Sequence, residues 1–200
     1  MLCNGAIKPA SGTYDTPHKA SQRKKQLNAI IKSDTKTVLI LPSEEYLEVP
    51  LLLASGIKEE NIYAVDWSRQ VLYSKESKKY PKLNKLCMDV REAVSTIHAK
   101  GIKLDAANMD TCGTWCLSNN NRLIKIRDSG VFSNGARISI TQSVGHISPD
   151  QMAIRDSRFK VETTNRALYA ANIFGGQVVE TGEYRNKGRG PTMQWVVVQL

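Results

Sequence analysis

From residue 37 onward, short unbroken apolar runs alternate with longer stretches in which apolar residues recur every three or four positions. Thr37 to Leu41 is such a run, stopped by Pro42-Ser43, and it predicts a strand buried on both faces. Glu44 to Ser55 follows with Leu47, Leu51 and Leu52 at helical spacing and Gly56 at its end. Pro50 predicts a kink in that helix, or a shorter helix. Asn61 to Asp66 is a second strand, and Ser68 caps a helix through about Lys78. Leu86 to Asp89 is a third strand and Arg91 to Ala99 a helix closed by Gly101. Lys103 to Met109 is a fourth strand, Ser118 to Ser129 a helix closed by Gly130, and Ala136 to Gln142 a fifth strand. Strands alternating with single helices imply βαβ units, right-handed crossovers and a mostly parallel sheet.

Both ends break this rhythm. Residues 1–15 show no periodicity and read as a loose arm, leaving 16–200 as one domain. Thr16-Pro17 opens a helix to about Lys32, apolar along Leu27, Ile30 and Ile31, with Arg23, Lys24 and Lys25 on its polar face. Near the other end, Thr163 to Phe174 reads as a helix followed by two strands, Gln177 to Tyr184 and Met193 to Leu200. A basic, glycine-rich turn with Arg185, Lys187 and Arg189 joins them as a hairpin.

Composition narrows the class. With 200 residues, 41% hydrophobic and 24% charged, the chain suits one folded domain. No apolar run approaches the ~20 residues that span a membrane, so no membrane role is expected. The absence of a secretory pattern, with only four scattered cysteines, predicts a reducing, cytoplasmic setting. Net charge is +9, and the excess sits at the two ends: seven basic residues against two acidic over 1–36, and eleven against six over 122–200. Such a surface attracts nucleic acid through its phosphates, with Arg23, Lys24, Lys25, Arg185, Lys187 and Arg189 as the contact candidates. Simple solubility accounts for the same charge.

Five βα units followed by a helix and an antiparallel hairpin resemble the class I S-adenosylmethionine-dependent methyltransferases, over about residues 16–200. The resemblance implies a Rossmann-like α/β three-layer sandwich. Its seven-stranded, mostly parallel sheet would have the order 3-2-1-4-5-7-6 and a C-terminal antiparallel hairpin. The cofactor, S-adenosylmethionine, would lie across the carboxyl ends of the first strands. Asp66, ending the second strand in IYAVDWS, matches the acidic residue that holds the ribose hydroxyls. Asp89, in LCMDV, matches the one that contacts the adenine amino group, though it equally fits a helix cap. In LDAANMDTCG the resemblance implies Asp105 on the cofactor side and Asn108 and Asp110 as catalytic residues facing the acceptor.

The chain departs from the family at the turn after the first strand. The family has a glycine-rich turn there, which lets backbone approach the cofactor. Here LILPSEEYLE has no glycine, so Pro42, Ser43, Glu44, Glu45 and Tyr46 stand in its place. Bulky side chains are expected to crowd the methionine end of the pocket, while Glu44 or Glu45 would attract its ammonium. Two functions follow: a methyltransferase acting on nucleic acid, or an inactive relative that binds nucleic acid or serves as a structural subunit. Asp110-Thr-Cys-Gly113 keeps an acid but lacks the prolines and aromatic of amino-methylating enzymes. Tyr46, Trp67 and Trp115 at strand ends are candidates for stacking on a base. Cys112 and Cys116 lack paired further ligands for zinc, and no metal site is expected. No G-x-G-x-x-G follows any strand, which argues against a nicotinamide oxidoreductase. His146, after the fifth strand, is the one histidine placed near the site.

Overall fold

The computed structural model describes residues 17–114, 117–143, 167–185 and 192–200. The arm before residue 17, Trp115, Cys116, His146, Lys187 and Arg189 lie outside them. The elements run α1 (Pro17–Ile30), β1 (Val38–Ile40), α2 (Val49–Ala54), β2 (Ile62–Asp66), α3 (Arg69–Leu72), β3 (Asn84–Cys87), α4 (Val90–Ala99), β4 (Leu104–Thr114), α5 (Leu117–Asp128), β5 (Phe132–Ser143), α6 (Ala167–Phe174), β6 (Gln177–Arg185) and β7 (Thr192–Gln199).

The seven strands form one sheet in the order β3-β2-β1-β4-β5-β7-β6. The pairs among β3, β2, β1, β4 and β5 are parallel, and β7 runs antiparallel to both β5 and β6. Strand order reverses beside β1, which is where open α/β sheets hold their ligands.

Every residue of β1 is fully buried, because the sheet is covered on both faces. Alternation divides the apolar residues between two cores. Leu39, Val65, Ala107, Met109, Ile138 and Ile140 pack in one with residues of α4, α5 and α6. Val38, Ile40, Ala64, Ala106 and Val197 pack in the other with Leu27 and Ile30 of α1 and Val49 and Leu52 of α2.

Three local differences from the sequence reading have physical causes. Of the two outcomes expected from Pro50 the shorter helix is found: Pro50 lies in the first turn of α2, where a missing N–H costs nothing, so the helix starts at Val49 instead of Glu44. The helix capped by Ser68 ends at Leu72, and a separate 3₁₀ turn follows at Glu76–Lys79. Both β4 and β5 run longer than their apolar cores: β4 continues past Met109 to Thr114 on the side of the cleft, whereas β5 gains Phe132 to Gly135 at its amino end.

α1 is held by polar ties as well as by its apolar edge. Trp195 Nε1 donates to Gln22 Oε1 at 3.1 Å, and Gln26 Nε2 donates to Thr141 Oγ1 at 3.1 Å. The Trp195 ring lies directly over Gly182 of β6, where a Cβ would stand 2.5 Å from a ring carbon. Gly182→Ala is therefore expected to destabilise folding by about 1–3 kcal/mol through overpacking. Urea denaturation checks this; an unchanged midpoint would mean the ring can shift.

Candidate functional site

The carboxyl ends of the parallel strands open into a cleft of about 780 Å³. Its floor is the β1–α2 loop, from Leu41 to Glu48. Asp66 and Trp67 come from the end of β2, Met88 and Asp89 follow β3, and Asn108 and Asp110 lie on β4. Lys19, Arg23 and Gln26 of α1 form one wall, with Arg122 of α5 and Tyr184 of β6 completing it.

Asp66 ends β2 with one oxygen accepting the Ser68 N–H at 2.7 Å. Burial pushes its pKa above the usual carboxylate range, opposed by that hydrogen bond. Its second oxygen makes no hydrogen bond among the described residues. Asp89 lines the cleft but also caps α4, accepting the Arg91 N–H at 2.9 Å and the Arg91 guanidinium at 2.7 Å. Partial burial works against its charge, but the bonds from Arg91 and the field of Arg122 prevail and hold its pKa low. Glu44 and Glu45 stand on the loop side; Glu44 Oε1 accepts from Gln70 Nε2 at 2.9 Å, which ties it to α3.

Two expectations are corrected. Asp105 is not in the cleft: it sits at the amino end of β4, accepting from the backbone N–H groups of Lys36 and Thr37 (2.9 and 3.1 Å) and from the Ser133 hydroxyl (2.9 Å). Parallel strands advance ~3.3 Å per residue, so five positions separate it from Asp110 by most of the sheet's depth. Arg23 is not on an exposed polar face. Its side chain is only 11% exposed, and its Nε donates to Glu48 Oε1 at 3.1 Å inside the cleft. Lys24 and Lys25 are exposed and do not line the cleft. Arg185 ends β6.

The glycine-free loop does not fill the pocket, because Tyr46 turns away from it. Its backbone takes φ 51°, its ring is fully buried, and its hydroxyl donates to the Leu72 carbonyl at 3.0 Å. Burial, then the fields of Asp66 and Tyr73, push its pKa up to about 12, so the hydroxyl stays a donor. A buried Tyr46 cannot stack on a ligand base, whereas Trp67, at 79% exposure, stands open at the rim.

Glu48 is the site residue that the sequence reading missed. It is buried at the start of α2, and desolvation raises its pKa against the opposing field of Arg23, with the Asp110 charge adding to the rise. Its Oε2 and the Asn108 Oδ1 are buried acceptors without a hydrogen-bond partner among the described residues. In sequence Glu48 reads as one of three glutamates after the first strand, with nothing to single it out. Among the described residues, no group of three or more His, Cys, Asp and Glu stands together as a metal site, and no helix is long and apolar enough to cross a membrane.

A raised Glu48 pKa means the folded state holds this proton more tightly than the unfolded chain. Its stabilising contribution is complete below the unfolded pKa and is lost as pH rises through the folded one. Wild type is expected to lose folding free energy, relative to Glu48→Gln, as pH climbs above the ordinary glutamate range. Urea titrations at several pH values check this, and parallel profiles for the two proteins would contradict it.

No family model matches the chain, and no curated protein is similar to it in sequence. Solved structures are. The N-methyltransferase NodS from Bradyrhizobium japonicum WM9 superposes with a TM-score of 0.60 at 10% identity, covering 92% of this chain and 97% of that one. A NodS complex with S-adenosyl-L-homocysteine matches equally well by TM-score, 0.60. A SAM-dependent methyltransferase from Agrobacterium tumefaciens gives 0.60 at 14% identity, over 93% of this chain and 63% of its own length. One from Archaeoglobus fulgidus gives 0.54 at 11% identity, over 90% and 92%. With its strand order and terminal hairpin, this chain has the fold of the class I S-adenosylmethionine-dependent methyltransferases.

Proposed function

We propose that the cleft binds S-adenosylmethionine and that the protein is a methyltransferase acting on nucleic acid. The observation that carries the reading is a pair of buried acceptors, Glu48 Oε2 and Asn108 Oδ1, that have no hydrogen-bond partner among the described residues and lie in the same cleft as Asp66. Buried polar atoms are rarely left unpaired, and the cost is of order 1–3 kcal/mol each unless a ligand donates to them. An ammonium donates three hydrogens and suits both atoms; the neighbouring Arg23 guanidinium suits a carboxylate. The amino-acid end of S-adenosylmethionine carries both groups. Asp66 accepts the two ribose hydroxyls, and Met88, Val90 and Trp67 offer apolar surface to the adenine.

When bound, the cofactor would supply an electrophilic methyl group, with S-adenosylhomocysteine as the leaving group. The protein's part is orientation and electrostatics. Asp110, at the far end of the β4 segment that lines the cleft, accepts a hydrogen bond from the acceptor's N–H or O–H and aims its lone pair. Asn108, one turn of the pleat earlier on the same face of β4, keeps the cofactor's amino-acid end beside it. The net charge of +9 supports a nucleic acid as acceptor.

Isothermal titration calorimetry with S-adenosylmethionine and S-adenosylhomocysteine tests the cofactor reading. Saturable micromolar binding is expected, weakened about 10- to 100-fold in Asp66→Ala through the loss of charge-assisted hydrogen bonds. No heat from folded protein would retire the enzyme and leave a methyltransferase-fold binding or structural subunit.

A further inference from the structure

The β2–β3 connection carries a charge concentration that the whole-chain distribution hides. Residues 67–85 hold six basic side chains against one acid, Glu76, although residues 37–121 as a whole are close to neutral. Arg69, Lys75, Lys78 and Lys82 are exposed, and Lys85 is partly so. Lys79 is paired with Glu76 at 2.5 Å.

Aromatic surface is exposed in the same stretch. Trp67 is 79% and Tyr73 51% exposed, and they are two of the four large apolar side chains left open among the described residues. The Arg69 guanidinium lies 5.5 Å from the centre of the Tyr73 ring and the Lys85 ammonium 6.0 Å from it. Cations gathered around open rings combine phosphate contact with base stacking, the means by which single strands are bound.

Edge protection does not account for the lysines. β3 is one edge of the sheet, and lysine on an edge strand discourages aggregation, but only Lys85 is on the strand itself. β6, the opposite edge, has no basic residue over 177–184 and carries Glu180 and Glu183. The basic excess of residues 67–85 therefore has no counterpart over 177–184 on the other edge, where basic residues begin only with Arg185 at the end of β6.

We propose that the surface formed by α3 and the connection to β3 binds single-stranded nucleic acid, with Tyr73 as stacking platform and Arg69, Lys75, Lys78, Lys82 and Lys85 on the phosphates. Trp67, at the rim of the cleft, joins this surface to the site. The proposal rests on the nucleic-acid part of the function above and is independent of cofactor binding. It moves the contact away from Arg23, which is committed to Glu48.

Fluorescence anisotropy with a labelled oligouridylate and a labelled oligothymidylate tests it, at several salt concentrations. Tyr73→Ala is expected to weaken binding roughly 5- to 100-fold, the loss of one stacked base. Replacing Lys75, Lys78 and Lys82 by Gln is expected to lower the salt slope by about 2, as for three single-strand phosphate contacts. Since those lysines are exposed, that variant remains informative if Tyr73→Ala misfolds. A Lys24→Glu, Lys25→Glu variant is expected to bind as wild type. Binding lost in the α1 variant but unchanged in the other two would overturn this surface while leaving a nucleic-acid partner. Equal binding of polyglutamate would reduce it to a site for any polyanion, and no binding of either oligonucleotide would overturn the nucleic-acid partner as well.

Discussion

Tyr46 sets the path of the loop on which the cleft depends. Where the chain leaves β1 it must turn sharply to start α2, and the turn passes through the left-handed region at φ 51°. That conformation costs a residue with a Cβ about 1–2 kcal/mol. Burying the ring gives back about 1.5–3 kcal/mol, and the hydrogen bond to Leu72 about 1 kcal/mol more. A glycine would make the turn without strain but would contribute no anchor. Here the anchor is gained, the side chain leaves the pocket, and Glu48 is delivered two residues later to the start of α2 facing Arg23.

The second consequence is that α1 belongs to the site. A buried ion pair rarely adds net stability over apolar packing, because both charges lose water. Arg23 and Glu48 are held in such a pair, while Gln22 and Gln26 tie the same helix to Trp195 and Thr141. This wall of the cleft is polar where an apolar contact would hold the helix more cheaply. That arrangement makes physical sense if a zwitterionic ligand end shares the charges. Asp66, by contrast, keeps one oxygen without a hydrogen bond among the described residues.

Much of the fold was legible because burial on both faces writes itself as unbroken apolar runs. The strand at Val38–Ile40, the strand ending in Asp66 and the terminal hairpin all follow from such runs, and their succession carries the family resemblance that implied the sheet order observed. Asp66, Asn108 and Asp110 were named through the family resemblance, and all three line the cleft at the carboxyl edge. Asp105 misled because sequence proximity to Asp110 does not register strand direction; it closes the opposite end by binding Lys36 and Thr37. Arg23 and Glu48 were illegible singly. Each reads as a solvated charge, and only their approach across 25 positions turns them into a buried pair.

A crystal structure of the protein with S-adenosylhomocysteine tests the account most directly. The account predicts the ribose hydroxyls on Asp66, the ammonium against Glu48 and Asn108, and the carboxylate against Arg23. A ligand bound elsewhere, or in this cleft with its amino-acid end away from Glu48 and Arg23, would contradict it.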